Sequence, residues 1–307
     1  MRYRPFGRSG AAVSSLSLVL DDQPMSDAAR AALVYAALES GVNTFELQTL
    51  DPNATAAVGQ ALGAVERRMV FVAFRLGWRR DENGRRVRDL SRDGLVAAIK
   101  GFIAQSGLGF IDVALVDATG DEPPPHVIPL LKAAQSARRV RMIGAAGGDA
   151  VDPWIATGAL DVVATPFSLC SGWRERNRLK QAVSQDIAVL GYGYHPALPK
   201  PGQAAEPEAG PSRFGLSRLL RRAAAPPPVE AADGPYAFLD RTPGWTADEL
   251  CLGYALTEPC LATVQATARD ARQVQALSAV VERELPTGLP AQIEMARFSG
   301  PDAAGAA

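Results

Sequence analysis

The sequence predicts a (β/α)8 barrel, and three observations carry that prediction. Eight short apolar runs alternate with eight helical patterns along the 307 residues. The runs are continuous in apolar character rather than alternating, as strands covered by helices on one side and a barrel core on the other must be. No Gly-x-Gly-x-x-Gly follows the first run, which argues against a doubly wound dinucleotide-binding sheet built on the same alternation.

Ahead of the first barrel strand, YRPFGRSGAAVSS reads as two extended pieces around a Gly-Arg-Ser-Gly turn, a hairpin suited to closing the bottom of a barrel. Strands are predicted at 16–19, 42–47, 70–75, 110–116, 140–145, 161–165, 187–192 and 261–266. Helices are predicted at 26–40, 54–64, 91–106, 125–136, 151–157, 175–184, 246–257 and 270–284. Ser26 is an N-cap for the first helix, and Gly41 after Ser40 is its stop. One segment breaks the rhythm. From 197 to 244 the composition turns to Pro, Ala, Gly and charge, too long a stretch for a plain connection, so it is functional or disordered. Inside it, FGLSRLLRR (214–222) sets Phe214, Leu216, Leu219 and Leu220 beside arginines, which suits either a loose loop helix or a docking element. The organisation expected is a single barrel over 1–307, with 197–244 inserted as a long loop and 296–307 as a flexible tail.

Composition narrows the function classes. Lys+Arg 32 against Asp+Glu 33 gives a net charge of -1, so nothing favours nucleic acid. No apolar run reaches the length of a membrane span, and MRYRPFGRSG has no apolar signal core, so the expected place is the cytoplasm. Cys170, Cys251 and Cys260 lie in apolar or small-residue settings without metal-ligand spacing and read as buried thiols in a reducing cytoplasm.

Several stretches, in order and with matching spacing, resemble the aldo-keto reductases. MRYRPFGRSGAAVSSLSL is similar to the N-terminal hairpin of that family, and GVNTFELQTLDPNATAAVGQALG to its Gly-x-Asn-x-Phe-Asp-Thr-Ala-x-x-Tyr-Gly stretch. VFVAFRLG resembles the strand ending in the catalytic lysine, FIDVALVD the one ending in the catalytic histidine, and RRVRMIGAAG the Gly-Lys-Val-Arg-x-Ile-Gly-x-Ser-Asn strand. DVVATPFSL and DIAVLGYGYHP are similar to the two strands that follow. The resemblance covers most of the chain outside 197–244 and the last dozen residues, and implies a barrel of aldo-keto reductase type with an N-terminal β-hairpin.

Carried over residue by residue, the resemblance implies a vacated catalytic tetrad. The aspartate falls on Glu46, the proton-donor tyrosine on Asp51, the lysine on Arg75 and the histidine on Asp117. The Ser-Asn pair that holds the nicotinamide carboxamide falls on Ala146 and Gly147, and the glutamine on Ala164. The aromatic that stacks under the ring survives as Tyr192. In the phosphate segment Arg269 and Gln273 match, while Thr267 and Leu277 replace the usual Gly and Asn. Weak binding of NAD(H) or NADP(H) through Tyr192, Arg269 and Gln273 is therefore what the family pattern implies.

The chemistry of these replacements opposes reduction. Carbonyl reduction needs a proton donor whose pKa is drawn towards neutrality. An aspartate is ordinarily ionised there and has no proton to give. Arginine stays charged where lysine is tunable. A carboxylate at Asp117 puts negative charge where an oxyanion would develop. In the alternative reading, Glu46, Asp51 and Asp117 converge on one pocket and crowding raises one of them into a working acid, leaving an active NAD(P)H-dependent reductase with a rebuilt site. A hard metal would suit three carboxylates, but Arg75 in their midst neutralises them and no metal is expected. His195, in YGYHP on the barrel rim, is a candidate lining residue, and Trp78 reads as part of a basic solvated loop.

Degenerate members of this kind include bacterial cell-division regulators. The resemblance then implies action on the FtsZ division ring and a cell-cycle kinase pathway, with protein partners rather than substrates. The final Ala306 and Ala307, in PDAAGAA, resemble degradation tags read by the ClpXP protease.

Overall fold

The computed structural model describes residues 1–118, 122–196 and 236–298. The 214–222 patch, most of 197–244 and the tail from 299 onward, Ala306 and Ala307 included, lie outside the described residues. The chain falls into two compact units, residues 1–195 with 248–285, and residues 196–247 with 286–307.

The first unit holds the barrel. It opens with an antiparallel hairpin of β1 (Tyr3–Pro5) and β2 (Ala12–Ser14). The chain then runs β3 (Leu16–Leu20), α1 (Asp27–Glu39), β4 (Thr44–Leu47), α2 (Pro52–Leu62) and β5 (Phe71–Leu76). A second small hairpin, β6 (Trp78–Arg80) and β7 (Arg86–Arg88), precedes α3 (Arg92–Ser106) and β8 (Ile111–Asp117). There follow α4 (Val127–Ser136), β9 (Val140–Ala146), α5 (Asp152–Ala156), β10 (Val162–Pro166), α6 (Trp173–Ser184) and β11 (Ala188–Tyr192). After α7 (Phe238–Arg241), which belongs to the second unit, come α8 (Ala247–Thr257), β12 (Thr263–Thr267) and α9 (Ala271–Val280), and finally α10 (Leu289–Phe298) of the second unit.

Eight of these strands close a parallel barrel in the order β3-β4-β5-β8-β9-β10-β11-β12 and back to β3. The seam pairs Leu16 with Val264 and Leu18 with Ala266. The cap read from sequence is made, with Ser26 Oγ accepting from Ala29 N at 3.2 Å, and Ser91 Oγ caps α3 in the same way by accepting from Gly94 N at 3.1 Å. One glycine is sterically required. A Cβ on Gly59 would stand 2.0 Å from the Ser106 carbonyl oxygen, so α2 and α3 touch backbone to backbone there.

The N-terminal hairpin plugs the barrel bottom. Phe6 and Val13 are buried against Phe71, Val113, Met142, Val162 and Ala188. Phe6 meets Phe71 edge-on at 5.5 Å between ring centres. Burying a side chain of this size contributes about 1.5–3 kcal/mol. Nearby, Asp112 is fully buried at the start of β8 and is satisfied by Arg67 at 2.5 Å, Arg141 at 2.9 Å and Val72 N at 2.9 Å.

The segment around Trp78 corrects the sequence reading, which took it for a solvated loop. It is the β6–β7 hairpin, whose Asp-Glu-Asn-Gly turn is tied by Asp81 Oδ1 accepting from Asn83 N at 2.9 Å and Arg85 N at 2.8 Å. Gly77, at φ +102°, supplies the left-handed step between β5 and this hairpin.

In the second unit, the described residues form α7 and α10. Thr242 Oγ1 donates to the Phe238 carbonyl at 2.8 Å, and α10 buries Leu289 and Ile293. Residues 296–298, expected to belong to a flexible tail, are the last residues of α10.

Candidate functional site

The C-terminal ends of the barrel strands carry the chemistry, as in barrels generally. Glu46 lies one residue before the end of β4, Arg75 one before the end of β5, and Asp117 and Tyr192 close β8 and β11. Glu46 and Arg75 are 1% and 9% exposed, so this ion pair sits inside the barrel rather than on its rim.

Arg75 bridges two carboxylates. Its Nε and Nη2 reach Glu46 Oε1 at 2.7 and 2.6 Å, and its Nη1 reaches Asp117 Oδ1 at 2.7 Å. Burial alone would lower the pKa of the guanidinium, but the charges of Glu46 and Asp117 outweigh it and raise the value further. The remaining carboxylate oxygens are also engaged. Gln48 Nε2 donates to Glu46 Oε1 at 2.8 Å, Gln265 Nε2 donates to Glu46 Oε2, and the Trp78 indole N–H donates to Asp117 Oδ2. The Trp78 ring is flanked by the guanidiniums of Arg86 and Arg88 at 4.7 and 5.3 Å from its centre.

Asp51 stands apart, which corrects the expectation that three carboxylates converge. It is the N-cap of α2, with its side chain accepting from Asn53 N at 2.9 Å and its carbonyl from Thr55 Oγ1 at 3.0 Å. The Asp-Pro pair at positions 51–52 was the legible signal: aspartate caps and proline favours the first helical turn.

Above the triad opens a cavity of about 600 Å³. Arg75, Asp117, Tyr192 and His195 all line it, together with Asp21 and Asp248. His195 Nδ1 lies 3.3 Å from Asp248 Oδ1, so the rim histidine is a lining residue paired to a carboxylate. The pKa of the Tyr192 hydroxyl is pushed up by burial, with Arg75 opposing the shift and Asp117 and Glu46 adding to it, and that of Tyr194 is pushed up by burial and by Asp248. Neither tyrosine is drawn towards neutrality as a proton donor would be.

Sequence reasoning missed two groups. Arg178 on α6 is 2% exposed and is held by Asp152 at 2.5 and 3.1 Å, by Asp149 at 2.5 Å and by Thr165 Oγ1 at 3.2 Å. Its helix reads as uniformly polar in sequence, which hides a buried arginine. Gln265, inside β12, is 3% exposed, and its Oε1 has no hydrogen-bond partner among the described residues. A glutamine at the centre of a β-rich apolar run was the available signal.

The fit to a nicotinamide dinucleotide is uneven. At the positions where the family holds the carboxamide, Ala146 and Ala164 offer no side-chain donor, and the Gly147 N–H is already bonded to the Ala164 carbonyl at 3.0 Å. The phosphate end fits better. Arg269 and Arg272 are exposed at the start of α9, where backbone N–H groups favour anions. Asp270 occupies the cap by accepting from Gln273 N at 2.8 Å, and Gln273 Oε1 accepts from Arg269 N at 2.9 Å. Tyr192 presents an aromatic surface in the cavity between.

Among the described residues, no group of three or more metal-ligating side chains is placed to hold an ion, and no helix is long and apolar enough to cross a membrane.

The chain matches no protein-family model and no curated protein. Solved structures do match. The holo form of aldo-keto reductase AKR11C1 from Bacillus halodurans superposes with a TM-score of 0.75 at 19% identity, over 96% of this chain and 96% of that one. The glycerol dehydrogenase AKR11B4 from Gluconobacter oxydans gives a TM-score of 0.71 at 16% identity, over 97% of this chain and 95% of that one. At such identities the likeness is one of fold, and the chain has the (β/α)8 fold of the aldo-keto reductases.

Proposed function

We propose that this chain is a non-catalytic barrel of aldo-keto reductase type that responds to a nicotinamide dinucleotide and acts through protein partners. The observation that carries the reading is the Glu46–Arg75–Asp117 triad, in which the groups at three of the four catalytic positions bond one another. The fourth, Asp51, is a helix cap. A reductase needs a donor that gives up a proton near working pH. Both tyrosines of the cavity are displaced away from that range, and Asp117 sets negative charge where an oxyanion would form. When bound, a dinucleotide would supply hydride chemistry; this chain offers Tyr192 for its ring and Arg269 with Gln273 for its phosphates.

The expected partners are those that the resemblance to degenerate, cell-division members of the family implies, the FtsZ division ring and a cell-cycle kinase pathway, with turnover of the regulator through Ala306 and Ala307 by ClpXP. Two measurements test the reading. An aldehyde and ketone panel with both nicotinamide cofactors should give no steady turnover; activity that disappears in Tyr192→Phe or Asp51→Asn would establish a working reductase instead. Co-sedimentation with FtsZ polymers should carry the protein into the pellet, and its absence there removes the division-ring assignment.

A further inference from the structure

The mouth cavity is unusual in its charge. Its lining holds three carboxylates, those of Asp21, Asp117 and Asp248, against one guanidinium, that of Arg75, which is also bonded to Glu46; Arg88 approaches Asp117 from outside the lining, at its backbone carbonyl. The Asp21 carboxylate is bonded by Gln23 at 3.1 and 3.3 Å, while Arg30 donates to the Asp21 backbone carbonyl at 2.9 Å. The other cation that Tyr192 senses, Arg178, is enclosed by Asp149 and Asp152. His195 is the remaining titratable nitrogen in the lining, held by Asp248.

A second observation is independent of charge. Gln265 also lines the cavity, and its amide orientation is fixed because Nε2 must face the Glu46 carboxylate. The carbonyl oxygen Oε1 is therefore the end left without a partner among the described residues. A buried acceptor of this kind costs about 1–3 kcal/mol unless a donor arrives. The half-buried Tyr192 and Tyr194 complete the site with aromatic surfaces that attract cations.

We propose that this cavity binds a small organic cation carrying an N–H group, which donates to Gln265 Oε1 while Asp21, Asp117 and Asp248 balance its charge. Two sources share that chemistry. One is a free alkylammonium. The other, which rests on the dinucleotide reading above, is the oxidised nicotinamide ring, a pyridinium with a carboxamide N–H. Reduction removes the ring's positive charge, so the cavity distinguishes the two redox forms by electrostatics.

Calorimetry on the full chain at low salt separates these possibilities, with 1,4-diaminobutane, NAD+, NADH and ADP-ribose as probes. The expected result is saturable diamine binding and an NAD+ affinity about tenfold above that of NADH. The double variant Asp21→Asn, Asp248→Asn removes charge without touching the barrel interior. It should weaken the diamine about tenfold and abolish the NAD+ preference, with an unchanged melting transition. Gln265→Met, which keeps length but not the acceptor, should weaken both cations and leave ADP-ribose unaffected. If ADP-ribose and both dinucleotides bind equally and the diamine is silent, the inference is overturned while the dinucleotide reading stands. If the diamine binds and every nucleotide is silent, the inference holds and the dinucleotide reading falls. Silence from all four overturns both.

Discussion

Trp78 donates its indole N–H to Asp117, the last residue of β8 and 39 positions further along the chain. The other oxygen of that carboxylate belongs to Arg75 at 2.7 Å. A carboxylate at the mouth of the barrel is thus fixed by two charged or polar donors, one of them from a hairpin that the barrel itself does not require. Arg88 adds a third tie by donating to the Asp117 carbonyl. The arrangement holds the carboxylate still, which suits a fixed electrostatic wall better than a proton shuttle.

Removing the cation should expose how much of this network is structural. Arg75→Met would leave the buried Glu46 and the partly exposed Asp117 without their shared counter-charge, and loss of a buried partner costs about 3–5 kcal/mol. Urea denaturation of the parent and variant measures the difference. Arg75→Lys should fall between them, since an ammonium cannot reach both carboxylates with the guanidinium's fork. A loss below about 1 kcal/mol for Arg75→Met would mean the triad is solvated in solution.

Asp51 should behave as a helix cap and as nothing else. Asp51→Ala should cost about 1 kcal/mol, while Asp51→Asn, which caps as well, should be nearly neutral. Neither change should alter dinucleotide binding measured by calorimetry. An effect of Asp51→Asn on binding that exceeds its effect on stability would return this residue to the site.

The repeating βα units, the hairpin plug and the cluster of Glu46, Arg75, Asp117 and Tyr192 were all legible in the sequence, because strand periodicity and strand ends fix which residues reach the mouth. Asp51 was misplaced for a physical reason: alignment with a proton donor says nothing of backbone direction, and Pro52 turned the segment into a helix start. The ties from Trp78 and Gln265 were hidden because both depend on tertiary proximity, across 39 and 219 positions. Arg178 was invisible for the same reason, since only its burial separates it from the other arginines of α6.

Cys251 supplies a pH prediction. Burial, followed by the charge of Asp248, pushes its thiol up to about 12, and Cys260 is pushed up to about 11 by burial and Glu258. In the folded chain these thiols keep their protons while the unfolded chain loses them, so stability is full below the ordinary thiol range. It should then fall as pH rises from there towards about 12. Denaturation midpoints across alkaline pH should show this decline, and Cys251→Ala should flatten part of it. Only Cys251 is buried as the sequence reading expected of all three cysteines; Cys260 is half-buried and Cys170 exposed, so Cys251 should resist alkylation in the native state and Cys170 should react first.

The seam between β3 and β12 has a consequence for how the chain is made. Leu16 must wait for Val264, so the first of the eight barrel strands finds its second neighbour only when nearly the whole barrel has been synthesised. Until then β3 presents an unpaired strand edge, and the plug formed by Phe6 and Val13 lacks Ala188 and Ala262 to rest on. Such late, sequence-distant closure slows folding and lengthens the interval in which intermediates can associate. A nascent chain halted before β12 would have two open edges and an unseated plug, making it a natural client for chaperones.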